Sequence, residues 1–179
     1  MNVIIISFLL MFAGINVLDA HNNSMTKLED KLLNMVVECK ACKCKSDIGK
    51  ERPAFTASLV GQPTLSGMKT ILKFDNVILN RRGCYDPKTG IFTAPRTGLY
   101  QISVTIMSNA GKYVDLDIAK NDLVLLRLYG PAVHGSTQTA NPVLELKSGD
   151  KVCVRNHSSG SQRIYGDKYS SFSGYYISE

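Results

Sequence analysis

The sequence predicts an all-β domain, a sandwich or barrel of about ten short strands, preceded by a short coiled-coil helix. Three observations predict it. From residue 54 onward, runs rich in Val, Ile, Leu, Phe and Tyr are separated by turn signals such as DPKTG, KND and KSGD. Several runs alternate with a period of two: Val114, Leu116 and Ile118 interleave with Asp115 and Asp117. Before residue 50 the apolar spacing is four and three instead, which is helical.

The chain has 179 residues, room for one substantial domain and a short extra element. Residues 1–20, MNVIIISFLLMFAGINVLDA, carry an apolar run followed by small and polar residues. The run is too short to span a bilayer and reads as a secretory signal peptide. Its removal takes away one acid, Asp19, and no base, raising the net charge from +6 to +7. Such an excess favours anionic partners, acidic glycans or phosphate-bearing surfaces. The bases are scattered and the compartment is extracellular, which argues against nucleic acid. Two N-glycosylation acceptors suit that compartment, Asn22 and Asn156.

Residues 21–50 form the neck. Thr26 and Glu29 make a capping-box pair. Leu28, Leu32, Met35, Cys39 and Cys42 then follow heptad spacing, and Leu33, Val36 and Val37 widen the stripe toward three strands. An amphipathic helix packed on its own domain shows a similar stripe. Two heptads hold a coil together only where another element already joins the chains. Gly49 and Pro53 close the helix.

Residues 51–179 form the head. The strand runs are AFTASLV, KTILKF, VILN, GIFTA, GLYQISVTIM, KYVDLDIA, LVLLRLY, PVLELK, DKVCVRN and SGYYIS. Within FDNVILNRRGCYDPKTGIFTAPRTGLYQISV, the residues Phe74, Asn80, Tyr85, Phe92, Gly98 and Tyr100 keep a distinctive spacing. That stretch resembles the signature of the complement C1q globular head family, as do AFTASL, VLELKSGDKVCV and SSFSGYYIS. The sequence departs where Ile102 and Val104 replace aromatics and Cys153 replaces a common Trp, swaps that keep a compact strand. The resemblance implies a ten-stranded jelly roll forming tight homotrimers, like the tumour necrosis factor relatives, and so supplies what the neck needs. Phe74, Phe92 and Tyr100 suit a sandwich core, Gly90 a hairpin and Pro95 a strand edge, so these are fold residues.

Catalysis finds little support. His134 and His157 fall in expected loops without a paired nucleophile, and SMTK with KTG mimics penicillin-recognising enzymes without their third element. The chain is expected to be no enzyme and to need no cofactor. Asp115 and Asp117 share one strand face, which makes them calcium candidates, although such a pair is more commonly a solvated face. For ligand binding the basic, Tyr-containing segment 155–171 stands out, with Arg155, Arg163, Tyr165, Lys168 and Tyr169. Tyr faces beside cationic donors suit sugars or anionic headgroups. Residues 129–139 are a second contributor, and an ordinary exposed loop is the alternative.

The function that follows is a secreted, trimeric recognition protein of lectin type, an innate immune pattern-recognition module for carbohydrate or anionic surfaces. The alternatives are a cerebellin-like ligand for a receptor ectodomain and a structural matrix component. Cys39, Cys42 and Cys44 are read as interchain disulfides, with a metal shared between chains as the lesser reading. Three such residues in each of three chains leave an odd thiol, which two linked trimers, a hexamer, would pair. Cys84 and Cys153 either pair within the head or stay as thiols.

Overall fold

Strand pairing in the head follows the alternation of its residues. A computed structural model describes residues 27–34, 51–109, 111 and 113–179. The signal segment, Asn22, Cys39, Cys42 and Cys44 lie outside the described residues. Residues 27–34 are helical (α1), with Leu28, Leu32 and Leu33 all exposed.

Residues 51–179 are a separate unit. It begins with β1 (Ala54–Ser58), β2 (Thr64–Leu65), β3 (Asn76–Arg81), β4 (Tyr85–Asp86) and β5 (Ile91–Thr93). Next come β6 (Gly98–Met107), β7 (Val114–Lys120), β8 (Leu123–Gly130), β9 (Thr137–Ala140) and β10 (Val143–Leu146). It ends with β11 (Lys151–Asn156), β12 (Gln162–Arg163) and β13 (Ser171–Ser178). One sheet runs β10-β6-β13-β1-β3, with β9 also on β6; the other runs β4-β5-β11-β7-β8. All pairings are antiparallel, and the two sheets close into a jelly-roll sandwich.

Inward positions fill the space between the sheets. Tyr100, Ile102, Val104 and Ile106 of β6 are fully buried, while Gln101, Ser103 and Thr105 face out. Phe55 stacks on Tyr85 at 5.1 Å and on Phe92 at 4.9 Å, and meets Phe172 edge-on at 4.8 Å. The Tyr85 hydroxyl accepts from the Phe74 N–H at 3.0 Å and donates to the Phe74 carbonyl at 3.1 Å. Asn80 donates to the Tyr85 carbonyl and accepts from its N–H, at 2.8 and 3.1 Å. Buried polar groups must be paired, so the tyrosine and asparagine of the signature form one solved unit. Gly90 has φ +77°, and a Cβ there would lie 2.5 Å from the Leu72 carbonyl oxygen.

One expectation changes and one open alternative closes. Residues 69–74 are not a strand; Ile71 alone forms a bridge, to Arg155, although the segment runs beside β11. The head cysteines do not pair: Cys84 is a buried thiol and Cys153 a half-buried one. Cys84 directly precedes β4, and Cys153 is on β11 with β5 between them. Two strand spacings, about 9–10 Å, exceed the roughly 7 Å reach of a disulfide.

Candidate ligand surfaces

The period-two alternation that buries Val114, Leu116 and Ile118 turns Asp115 and Asp117 to the outer face of the five-stranded sheet. Register supplies their partners. Asp117 lies opposite Arg155 on β11 and Arg127 on β8. Arg127 donates to Asp115 Oδ1 at 2.7 Å, and His157 Nδ1 pairs with Asp117 Oδ1 at 2.8 Å. The Arg155 η nitrogens donate to Asp122, at 2.6 Å to Oδ1 and 2.8 Å to the carbonyl. Its Nε lies 3.9 Å from Asp117 Oδ2 and has no hydrogen-bond partner. The side chains of Arg155 and Asp117 are each 4% exposed, and a buried carboxylate needs such cationic neighbours.

The calcium candidates therefore face cations. Among the described residues, no group of three or more His, Cys, Asp or Glu side chains gathers to hold a metal. Arg155 serves this charge array and is not a member of the loop surface.

The other loop residues do converge. Tyr165 and Tyr169 have ring centroids 5.6 Å apart, and His134 meets Tyr165 edge-on at 5.3 Å. His134 comes from the second segment, residues 129–139. Backbone bonds pin the loop: Lys168 N–H donates to the Leu59 carbonyl at 2.7 Å and Tyr165 N–H to the Met107 carbonyl at 2.9 Å. Ser170 Oγ donates to the Tyr165 carbonyl at 2.7 Å. Asp167 and Lys168 accept left-handed backbone, φ 49° and 65°, to make this turn. Tyr169 is exposed, as are Arg163 and Lys168. A tilted aromatic cluster on a segment that also carries exposed cations can hold a sugar ring by stacking and its acidic groups by charge.

Asn156 is a correction. It is fully buried, and its Nδ2 donates to the carbonyls of Gly67 and Gly160 at 3.0 and 2.9 Å. Its Oδ1 accepts from Gln162 Nε2 at 2.7 Å. A glycan on that nitrogen is incompatible with this packing, so the sequon here is a structural asparagine. Sequence missed Arg127, His134 and His157 as partners. The alternation gave the face on which Asp115 and Asp117 lie, whereas the cross-strand partners needed the register.

A family model for the C1q domain matches residues 54–177. The mouse (Mus musculus) complement C1q tumor necrosis factor-related protein 6 is 35% identical over 111 residues, covering 59% of this chain. The chain spans only 42% of that relative's length. Among solved structures, the globular domain of zebrafish complement 1qA superposes with a TM-score of 0.56 at 23% identity, over 70% of this chain and 97% of that one. An Eiger tumour necrosis factor from S. frugiperda gives 0.57 at 16% identity, over 72% and 94%. Murine APRIL gives 0.55 at 10% identity, over 71% and 100%. At these identities the structural likeness carries the fold alone.

Proposed function

Because the chain belongs to the C1q domain family, we propose that it is a secreted recognition protein whose heads form homotrimers and bind acidic glycans or other anionic surfaces. The observation that supports this best is the division of the head's surface. On the six-stranded sheet, Leu99, Val143 and Tyr175 are exposed, and the edge strand β8 exposes Leu123, Val124 and Leu126. Apolar edges left open invite pairing or aggregation. Different apolar areas on one head, the β3 edge with Ile78 among them, call for a heterologous contact, which is satisfied when a ring closes. The outer face of the five-stranded sheet is charged instead, and the Tyr165–Tyr169 loop is aromatic and basic.

Ring closure multiplies a weak head site into avidity about 10²–10⁴ higher. In this reading Cys39, Cys42 and Cys44 link chains, and link trimers to one another, through disulfides. Among the described residues no helix is long and apolar enough to cross a membrane.

The test joins sedimentation of the secreted protein to a glycan array. Trimers that bind acidic glycans, release them at high salt, and lose both properties in Leu126→Glu would support the proposal. A monomer in dilute solution would overturn the assembly. Saturable binding to one receptor ectodomain, indifferent to acidic sugars, would replace the glycan reading with the cerebellin-like one.

A further inference from the structure

Away from the Tyr165 loop, the charged face holds a cavity of about 220 Å³. The local backbone explains it. Residues 69–72 run beside β11, with the Lys69 and Leu72 N–H groups donating to the Asn156 and Val154 carbonyls, each at 2.8 Å. Cys153 lies opposite Ile91 of β5, and Ile71 bridges Arg155. The cavity is thus lined by Cys153 and Arg155, with apolar Ile71 and Ile91 and the cations Lys69 and Lys151.

Charge accounting gives the cavity a sign. Asp122 of the β7–β8 turn also lines it and takes both η nitrogens of Arg155, balancing that charge. Among the described residues, no ion pair engages Lys69 or Lys151, so their charges are uncompensated. Arg155, buried in the lining, still has an Nε–H without a partner. That nitrogen is itself closed to solvent and lies 3.9 Å from Asp117 Oδ2, so the two lysines alone give the cavity its positive sign.

We infer that this cavity receives the sulfate or carboxylate group of an acidic saccharide, with Lys69 and Lys151 supplying the charge and Ile71 and Ile91 an apolar wall for the ring. The inference deepens the recognition reading and rests on it for the saccharide. The cavity's own preference for anions is measurable without any saccharide.

Cys153 is the reporter, a half-buried thiol in the lining. Burial pushes this thiol above its ordinary value, so it is protonated near neutral pH and reacts slowly. The full chain is treated with small thiosulfonates of matched size, one anionic and one cationic. Modification of the Cys153 peptide is followed by mass spectrometry, with the buried Cys84 as internal reference. Two lysines in the same lining, screened at physiological salt, should make the anionic reagent about 5-fold faster than the cationic one. The exposed pair Lys69→Ala/Lys151→Ala should bring that ratio to about unity. Sulfated and uronate oligosaccharides, run as separate arms beside a neutral one, should slow modification of Cys153. Protection in one arm alone names the acidic group.

A ratio at or below unity in the parent protein would overturn the cavity as an anion site. So would an anionic preference with no protection by either acidic saccharide. Acidic saccharide bound without protection of Cys153 would leave the recognition reading standing and remove this site from it.

Discussion

Asn156 separates a sequence motif from the structure that uses it, so its replacement is informative. In Asn156→Asp the shape is kept, but oxygen replaces the nitrogen that donates to Gly67 and Gly160 at 3.0 and 2.9 Å. Two carbonyls lose their donor, and a new carboxylate is placed where solvent does not reach. At about 1–2 kcal/mol per lost bond, plus the cost of burying the new charge, the variant should lose about 4 kcal/mol. Ser158→Ala abolishes the same sequon and removes contacts at 3.4 Å to Asn156 Oδ1, 3.5 Å to the Gly160 carbonyl and 3.1 Å from Gln162 Nε2, none of them fully buried. That variant should lose about 0.5 kcal/mol. The assay is urea unfolding of the full chain, with the intact mass of material secreted from glycosylating cells. The parent and Ser158→Ala should carry the same glycan mass. A glycan found on Asn156 in folded protein would refute the reasoning, as would an Asn156→Asp variant within about 1 kcal/mol of the parent.

Three further outcomes follow from the same packing. Phe55→Ala empties the centre of the aromatic stack and should cost about 4 kcal/mol, read as a lower urea midpoint; a loss under about 1 kcal/mol would mean that the core had collapsed to fill it. Burial pushes Tyr85 from 10.0 to about 12 and Cys84 from 9.0 to about 11. Because the unfolded chain then releases these protons first, stability is level below about pH 9 and falls between about pH 9 and 12. Urea midpoints that stay flat across that range would contradict the burial of both groups. Gly90→Ala should cost more than about 2 kcal/mol, since its φ is +77° and the Leu72 carbonyl stands 2.5 Å from the new Cβ; a melting temperature equal to the parent's would disprove it.

How much could be read from the chain depended on whether a property was local. Alternation is local, so β6 and β7 emerge with the expected side chains inside. Phe74, Phe92 and Tyr100 are core residues, as expected, and Tyr85 and Asn80 show why the spacing of the signature matters: they bond each other across a tight turn. β9, TQTA, escaped because its polar composition shows no strand signal; it forms because β6 is long enough to pair it beyond β10. Residues 69–74 looked like a strand because they carry Ile71, Leu72 and Phe74, yet they touch β11 only through a bridge and a few backbone bonds. The candidate site divided in the same way. Tyr165 and Tyr169 are four residues apart and do meet, whereas the fate of Arg155 was decided by Asp122, a residue 33 positions away. The sequon failed for a related reason: three residues specify a glycan acceptor, while Gly67 and Gly160 decide whether it can be reached.

The charged face and the apolar face also explain each other. In β7 both faces are withdrawn from solvent, the pattern being buried from Val114 to Ala119. Aspartates can occupy that outer face only because Arg127, Arg155 and His157 lie beside them. Such pairs confer little net stability when the cost of desolvation is counted. An apolar outer face would have been the cheaper solution for an isolated head, but it would have added another apolar area to those already on the six-stranded sheet and β8. A head with apolar surface on every side has no single way to close a ring, and charge on the five-stranded sheet removes the competing contacts. The same charges leave Lys69 and Lys151 unpaired beside a concavity. The proposed ligand face and the proposed specificity of assembly would then have one cause. Replacing Asp115 and Arg127 together by Leu should therefore change the oligomeric state seen by sedimentation, producing species larger than the parent's while the head itself stays folded. If the double variant sediments as the parent does, the charge array serves the ligand alone.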